Sequence, residues 1–349
     1  MRHARRAWLT CSSLLILFAL ALCIGSAHAD SASFRVARRI LIGGEGGWDY
    51  ITYDGPSKRL FVSHGAHVAV VDTRTDSIVG DIPDTPGVHG VAMASDVGRG
   101  FTSNGRDSSV TVFDAKTLAV LKRIKLEQRN PDAIMYDQAS GRVFTFNGGS
   151  ANATAIDATT QQVVGTVAIG GKPEAAAPDG RGVVFVNNED SATVVAFDAK
   201  QLKPLHVWSL APGEGPSGLA IDRAHHRLFS GCDNKKLIVL DSVTGKKVAD
   251  VPIGAGVDGV AFDPSRQLVL ASCGEGVLTV IHEDTPDKYS VVENAITQRG
   301  GRTIALDEES GTVFIPTAEF GPAPAPTPDR PRPRPSIVPG TFTVMVVQR

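Results

Sequence analysis

Aromatic residues make up only 6% of this 349-residue chain, and basic and acidic residues nearly cancel at 35 against 37. With so little stacking surface, and no basic stripe outside one proline-rich segment, nucleic acid is not expected as a partner. Long apolar runs are missing beyond one near the N-terminus, so no membrane span is expected in the body of the chain. No G-x-S-x-G, H-E-x-x-H or C-x-x-C-H pattern occurs, nor a glycine-rich phosphate loop. Hydrolase-elbow, zincin, c-type haem and nucleotide readings therefore lack local support. No stretch after the leader sustains a 3.6-residue apolar period, which argues against a helical repeat.

The first 29 residues read as a cleavable leader. Arg2, Arg5 and Arg6 give a positive start, Leu14–Ile24 an apolar centre, and Ala27-His28-Ala29 a small-x-small cleavage site before Asp30. The apolar run is short for an anchor, and Leu22 rather than a small residue precedes Cys23, which argues against a lipoprotein. A periplasmic or secreted bacterial protein is expected, with a single domain over residues 30–349. Its net charge falls from −2 to −5 once the three leader arginines leave, and that mild acidity gives no broad attraction to nucleic acid or anionic lipid. Two of the four cysteines leave as well. Cys232 and Cys273 remain, at one slot of adjacent repeats, either paired in an oxidising compartment or simply two small buried residues, with metal ligation as a third reading.

What the chain does have is a repeat of about 42 residues. Short runs ending in an acid recur as VAVVD to Asp72, VTVFD to Asp114, ATAID to Asp157, VVAFD to Asp198 and LIVLD to Asp241; LTVIH at His282 and FTVMV at Val346 hold the same place. A second series keeps step: YITYD, AIMYD, AAAPD, GLAID, GVAFD and TIALD, with GVAMA filling the gap. Each unit holds four short apolar or alternating runs separated by Gly, Asp, Asn and Pro, as in GVAFD, QLVLAS, VLTVIH and YSVVENAI. Turns such as DPSRQ and DEESG suit tight hairpins. A four-stranded unit of this length is one propeller blade, so the fold class is all-β, a seven-bladed β-propeller of antiparallel blades. The last copy supplies only three strands before Arg349, whereas Phe34–Asp49 reads like Lys247–Asp258, an outer strand with its following loop. The N-terminal strand is therefore expected to complete blade seven and remove the open sheet edges.

The segment Lys172–Asp198, with VFVN at Val184–Asn187, resembles the YVTN-repeat family of β-propellers, which includes YncE-like exported proteins. GPSGLAID, GVDGVAFDP and LFVSHGAHVAVVD repeat the theme, and the likeness runs from about Phe34 to the end, with departures at VAMASD and at the missing acid of blade six. The resemblance implies the fold and export. It implies little about activity, because the superfold hosts binding scaffolds, lactonases and haem or quinone enzymes alike.

Alignment of the copies places Asp49, His89, Asp132, Glu174, Ser217, Asp258 and Arg302 at one slot before each innermost strand, ringing the channel mouth. Trp48 stands beside them as an apolar or stacking wall, and a second ring follows from His64, Asn104, Asn147, Asn187, Cys232 and Cys273 at the ends of the second strands. Four carboxylates facing one funnel repel, so they should bind a cation, recruit Arg302 or His89, or hold raised pKa values. The same residues would also serve simply as caps for loop amides and channel water. No cofactor is expected, with Ca²⁺ on Asp49, Asp132, Glu174 and Asp258 as the one metal to consider. The preferred function is a non-catalytic binding or scaffold protein of the cell envelope, a monomer taking a protein or small-molecule ligand at the mouth. The alternative is a lactonase-like or metal-dependent hydrolase with His89, Glu174 and Arg302 as base, acid and clamp. His225-His226 falls in a hairpin on the opposite face and reads as solvated or packed. Finally, GPAPAPTPDRPRPRPSIVPG (Gly321–Gly340) interrupts blade seven on the mouth side as a stiff extended arm bearing Arg330, Arg332 and Arg334, either a cover for the mouth or a tolerated surface insertion.

Overall fold

In the computed structural model, which describes residues 33–325, 327, 333 and 335–349, seven four-stranded antiparallel sheets follow one another around a ring. The expected leader lies outside the described residues, as do Arg330, Arg332 and Arg334. Blade one comprises Ile51–Asp54, Arg59–His64, His67–Asp72 and Ser77–Ile82, from the channel outward. The next five blades repeat that order. Blade seven takes Ala305–Asp307, Thr312–Thr317 and Thr343–Gln348 from the C-terminus, and Arg35–Leu41 lies outermost, paired from Arg35↔Gln348 to Leu41↔Thr343. The closure expected from the sequence is thus the one the fold uses. Among the described residues, no helix is long and apolar enough to cross a membrane.

The alternating runs form strands because both faces of each sheet are covered by neighbouring blades. One buried apolar layer lies between each adjacent pair: Phe61, Val68 and Val70 of blade one meet Val88, Val91 and Phe113 of blade two. Blade seven meets blade one in the same way, through Val344, Phe342, Leu60 and Val62. The acids that reveal the repeat are turn caps. Asp114, Asp157, Asp198 and Asp241 each accept at Oδ1 from the backbone N–H groups two and three residues on, at 2.7–3.0 Å. Aspartate is the residue that can close such a turn with its own side chain. The most regular feature of the sequence is therefore architectural.

The two cysteines are not joined. Both thiols are free and buried. Cys232 packs in the layer between blades four and five, and Cys273 in the layer between blades five and six, so a sheet separates the equivalent slots. Each sulfur instead faces a carbonyl of its own strand, Ser230 O at 3.7 Å and Ala271 O at 3.5 Å. Of the readings left open above, the structure has the buried one.

One irregularity in the ladders positions the site. The pairing of the innermost with the second strand slips at Val88/Gly90, Pro131/Ile134, Pro173/Ala176, Pro216/Leu219 and Val257/Gly259. His89, Asp132, Glu174, Ser217 and Asp258 sit in these slips. A bulge turns a side chain away from the pleat, and here it serves the residues of the mouth.

Candidate functional site

The backbone at the mouth is pinned from several blades. Asp49 N–H donates to Ser63 Oγ at 2.9 Å, Asp49 O accepts from Thr303 Oγ1 at 2.7 Å, and Tyr50 N–H donates to His89 O at 2.9 Å. On this frame the aligned residues do converge. His89 Nδ1 lies 2.7 Å from Asp49 Oδ2 and 3.4 Å from Asp132 Oδ1. Arg302 donates through Nε to Asp258 Oδ2 at 2.5 Å, and its other end is 3.5 Å from Asp49 Oδ1. Glu174 Oε1 is 2.8 Å from Lys172 Nζ, which also holds Glu189. Ser217 stands beside Asp258, whose pKa a side-chain hydrogen bond with Ser217 helps to lower, and its hydroxyl also lies 2.8 Å from Val257 O.

The four carboxylates considered for Ca²⁺ are therefore distributed rather than gathered. Glu174 faces Lys172 and Asp258 faces Arg302, while Asp49, His89 and Asp132 bring one ligand atom each within 4.8 Å. Electrostatics follow from burial and crowding. Desolvation raises the Asp132 pKa to about 6, with His89 opposing and Asp49 reinforcing. Desolvation also raises Glu174 to about 8, against the pull of Lys172 and with help from Asp132. Asp258 is raised by burial despite Arg302. Burial disfavours the His89 imidazolium, yet the bond to Asp49 and the field of Asp132 outweigh it, and its pKa rises.

Beneath this cluster stands Tyr50, which sequence reasoning overlooked. The residue after the mouth slot is Gly90, Ala133, Ala175, Gly218, Gly259 and Thr303 in the other six copies, and all seven line a channel cavity of about 170 Å³. Six small residues and one tyrosine at the same step mean that a single ring occupies the axis. That signal was present in the alignment. Burial and the fields of Asp132, Asp49, Glu174 and Asp258 raise the Tyr50 pKa well above its ordinary value, so the phenol stays neutral among the four carboxyls.

Beside the mouth lies a cleft of about 310 Å³ lined by Trp48, Arg299, Arg302, Phe320, Pro335 and Ile337, with glycine backbone from Gly47, Gly274 and Gly300. The base of the proline-rich segment forms one wall. Phe320 bridges Ile337, Gly321 N–H donates to Ser336 O at 2.8 Å, and Val338 N–H donates to Glu319 O at 2.9 Å. Trp48 stacks on Phe342 at 5.0 Å and tilts against Phe320 at 6.1 Å; its indole Nε1–H is buried with no acceptor among the described residues. Trp48 and the base of the proline-rich segment thus line the same cleft. His64 does not line the mouth as expected. It is 1% exposed, packed on Phe342 at 4.6 Å and covered by Gly44, and burial lowers its pKa. The rest of the second ring is also internal: Asn104 and Asn147 tie their own hairpins, and Asn187 reaches the carbonyls of Ser217 and Gly218.

The ring of blades, the bulge-borne side chains and the channel cavity define the class: a seven-bladed β-propeller with a charged mouth and an adjoining aromatic cleft. No protein-family model and no curated protein matches the chain. Solved structures do share its architecture. A chain of Kuenenia stuttgartiensis hydrazine synthase superposes with a TM-score of 0.67 at 17% identity, covering 79% of this chain and 92% of that one. A chain in the crystal structure of the mitotic checkpoint complex gives a TM-score of 0.71 at 14% identity, covering 94% and 99%. At such identities the likeness shows the fold alone.

Proposed function

We propose that this chain is an exported, YVTN-like binding propeller that seats a ligand at its mouth without transforming it. The observation that supports this reading is the cleft between Trp48 and Phe320 on one side and Arg299 and Arg302 on another. An aromatic wall and the Arg299 guanidinium suit a small molecule with a planar or apolar body and an anionic oxygen. The groups best suited to chemistry, by contrast, are engaged with one another: His89 with Asp49, Glu174 with Lys172, and Arg302 with Asp258. Export to the periplasm or beyond is inferred from the leader pattern of residues 1–29.

The test is fluorescence of Trp48 in mature protein carrying Trp208→Phe, titrated with a series of aromatic carboxylates. Saturable quenching that disappears in Phe320→Ala and Arg299→Gln is expected; quenching that never saturates for any member refutes the cleft as a ligand seat. One observation favours a hydrolase as the second reading, namely two mouth carboxyls held near neutrality, Asp132 at about 6 and Glu174 at about 8. Turnover of a lactone or ester that is abolished by Glu174→Gln would displace the binding reading.

A further inference from the structure

The face opposite the mouth carries a second cluster of ionisable groups, and it arises where blade six departs from the others. Its third and outer strands, Val277–Thr285 and Lys288–Ile296, run nine residues each, whereas the third strands of blades one to five have six. The lengthened hairpin leans on blade five, where Arg227 donates through Nε to Pro286 O at 2.7 Å and contacts Asp287 Oδ1 at 2.8 Å. It thereby brings Glu283 against Asp222 and His225 of the blade-five turn. His225 Nδ1 lies 2.5 Å from Asp222 Oδ2 and 3.8 Å from Glu283 Oε1, and one ligand atom from each of the three residues falls within 4.8 Å of the others.

Two features set this cluster apart from an ordinary surface group of acids. The Asp222 and Glu283 side chains are only 3% and 0% exposed. Glu283 Oε1 accepts from Tyr289 Oη at 3.2 Å, but the buried Oε2 has no hydrogen-bond partner among the described residues. A fully buried carboxylate oxygen without a donor is strongly unfavourable, and a second carboxylate beside it makes it more so. Burial first, and the nearby Asp222 next, hold the Glu283 pKa above its usual value. Something positive is called for at this point, and the Arg227 guanidinium is otherwise employed, bound to Asp241 and Asp287.

We propose that Asp222, His225 and Glu283 form a Zn²⁺ site bridging blades five and six. Tetrahedral Zn²⁺ with bonds of about 2.0–2.1 Å separates its ligand atoms by about 3.3 Å, and the observed 2.5 and 3.8 Å bracket that spacing. An imidazole nitrogen with two carboxylates, and only three protein donors, favours Zn²⁺ over Ca²⁺, which prefers six to eight oxygens. His225 is 39% exposed, leaving the fourth position to water. Tyr289 Oη behind Glu283 and the Ala224 N–H on Asp222 Oδ1, at 2.9 Å, would fix the carboxylates from outside the coordination shell. The competing occupant is a proton shared between the two carboxyl groups.

The test uses EDTA-stripped mature protein titrated with ZnCl₂ by calorimetry, together with Co²⁺ as an absorbing substitute. We expect one Zn²⁺ per chain at this site with Kd below about 10 μM, intense visible Co²⁺ bands of tetrahedral type, and at least about 100-fold weaker binding in His225→Ala and in Glu283→Gln. His89→Ala, which alters the Asp49–His89–Asp132 group at the mouth, should leave this binding unchanged. His225→Ala changes a partly exposed ring and Glu283→Gln keeps the side-chain shape, so at least one folded variant is available. No uptake at about 100 μM Zn²⁺, unchanged binding in His225→Ala, or loss in His89→Ala alone would each overturn the proposal.

Discussion

Glu174 offers the sharpest test of the electrostatics at the mouth. Its side chain is 9% exposed, and its single cation, Lys172, is shared with Glu189. Burial therefore prevails over pairing and lifts the pKa to about 8, against about 4.3 in an unfolded chain. A carboxyl raised on folding adds stability that is fully present below the unfolded value and is lost as pH climbs through the folded one. At about 1.4 kcal/mol per unit, the wild type should lose about 3 kcal/mol through this group between pH 6 and pH 9. Glu174→Gln keeps the shape, cannot ionise and should not show that loss. Urea denaturation of both proteins at pH 6, 7.5 and 9 measures the difference: the stability gap should move in favour of the glutamine by about 2–3 kcal/mol across the series. Parallel pH profiles for the two proteins would refute the argument and show that Lys172 keeps Glu174 ionised throughout.

Two further outcomes follow from packing. Phe342 is 1% exposed and stacks on both Trp48 and His64, so Phe342→Ala should cost about 3–5 kcal/mol and red-shift Trp48 emission; unchanged emission would mean that the ring does not hold the cleft wall. Burial raises the Cys232 and Cys273 thiol pKa values to about 11, so in protein lacking residues 1–29 a thiol reagent should find no reactive group in the native state and two after denaturation, whereas none in either state would reveal a disulfide.

Much of the fold was legible because a propeller writes its geometry into a period. The capping aspartates, the hairpin turns and the misplaced outer strand at Phe34–Leu41 are local or tandem features, and each survives in a single sequence. The mouth slot was legible for the same reason: Asp49, His89, Asp132, Glu174, Asp258 and Arg302 hold one place in the repeat, and equivalent places meet at the axis. His64 misled because periodicity fixes where a strand ends but not which neighbour covers it; Phe342, distant in sequence, takes that side chain inside. Lys172 lies two residues before its slot and became visible only once Glu174 and Glu189 were seen to share it, whereas Tyr50, one step after its slot, was already marked by the small residues of the other six copies.

The sequence by itself determined the number of blades, the seam at which the ring closes and the residues that face its axis, since these depend on a repeat and on hydrophobic alternation within it. Tertiary structure decided how those residues divide their charges, that Tyr50 lines the channel cavity beside six small residues, that the base of the proline-rich segment walls a cleft with Trp48, and that a lengthened hairpin sets Glu283 beside Asp222 and His225. These outcomes depend on distances between side chains from different blades or from segments far apart in the chain. Such distances come from packing across the ring, and no one-dimensional period encodes them.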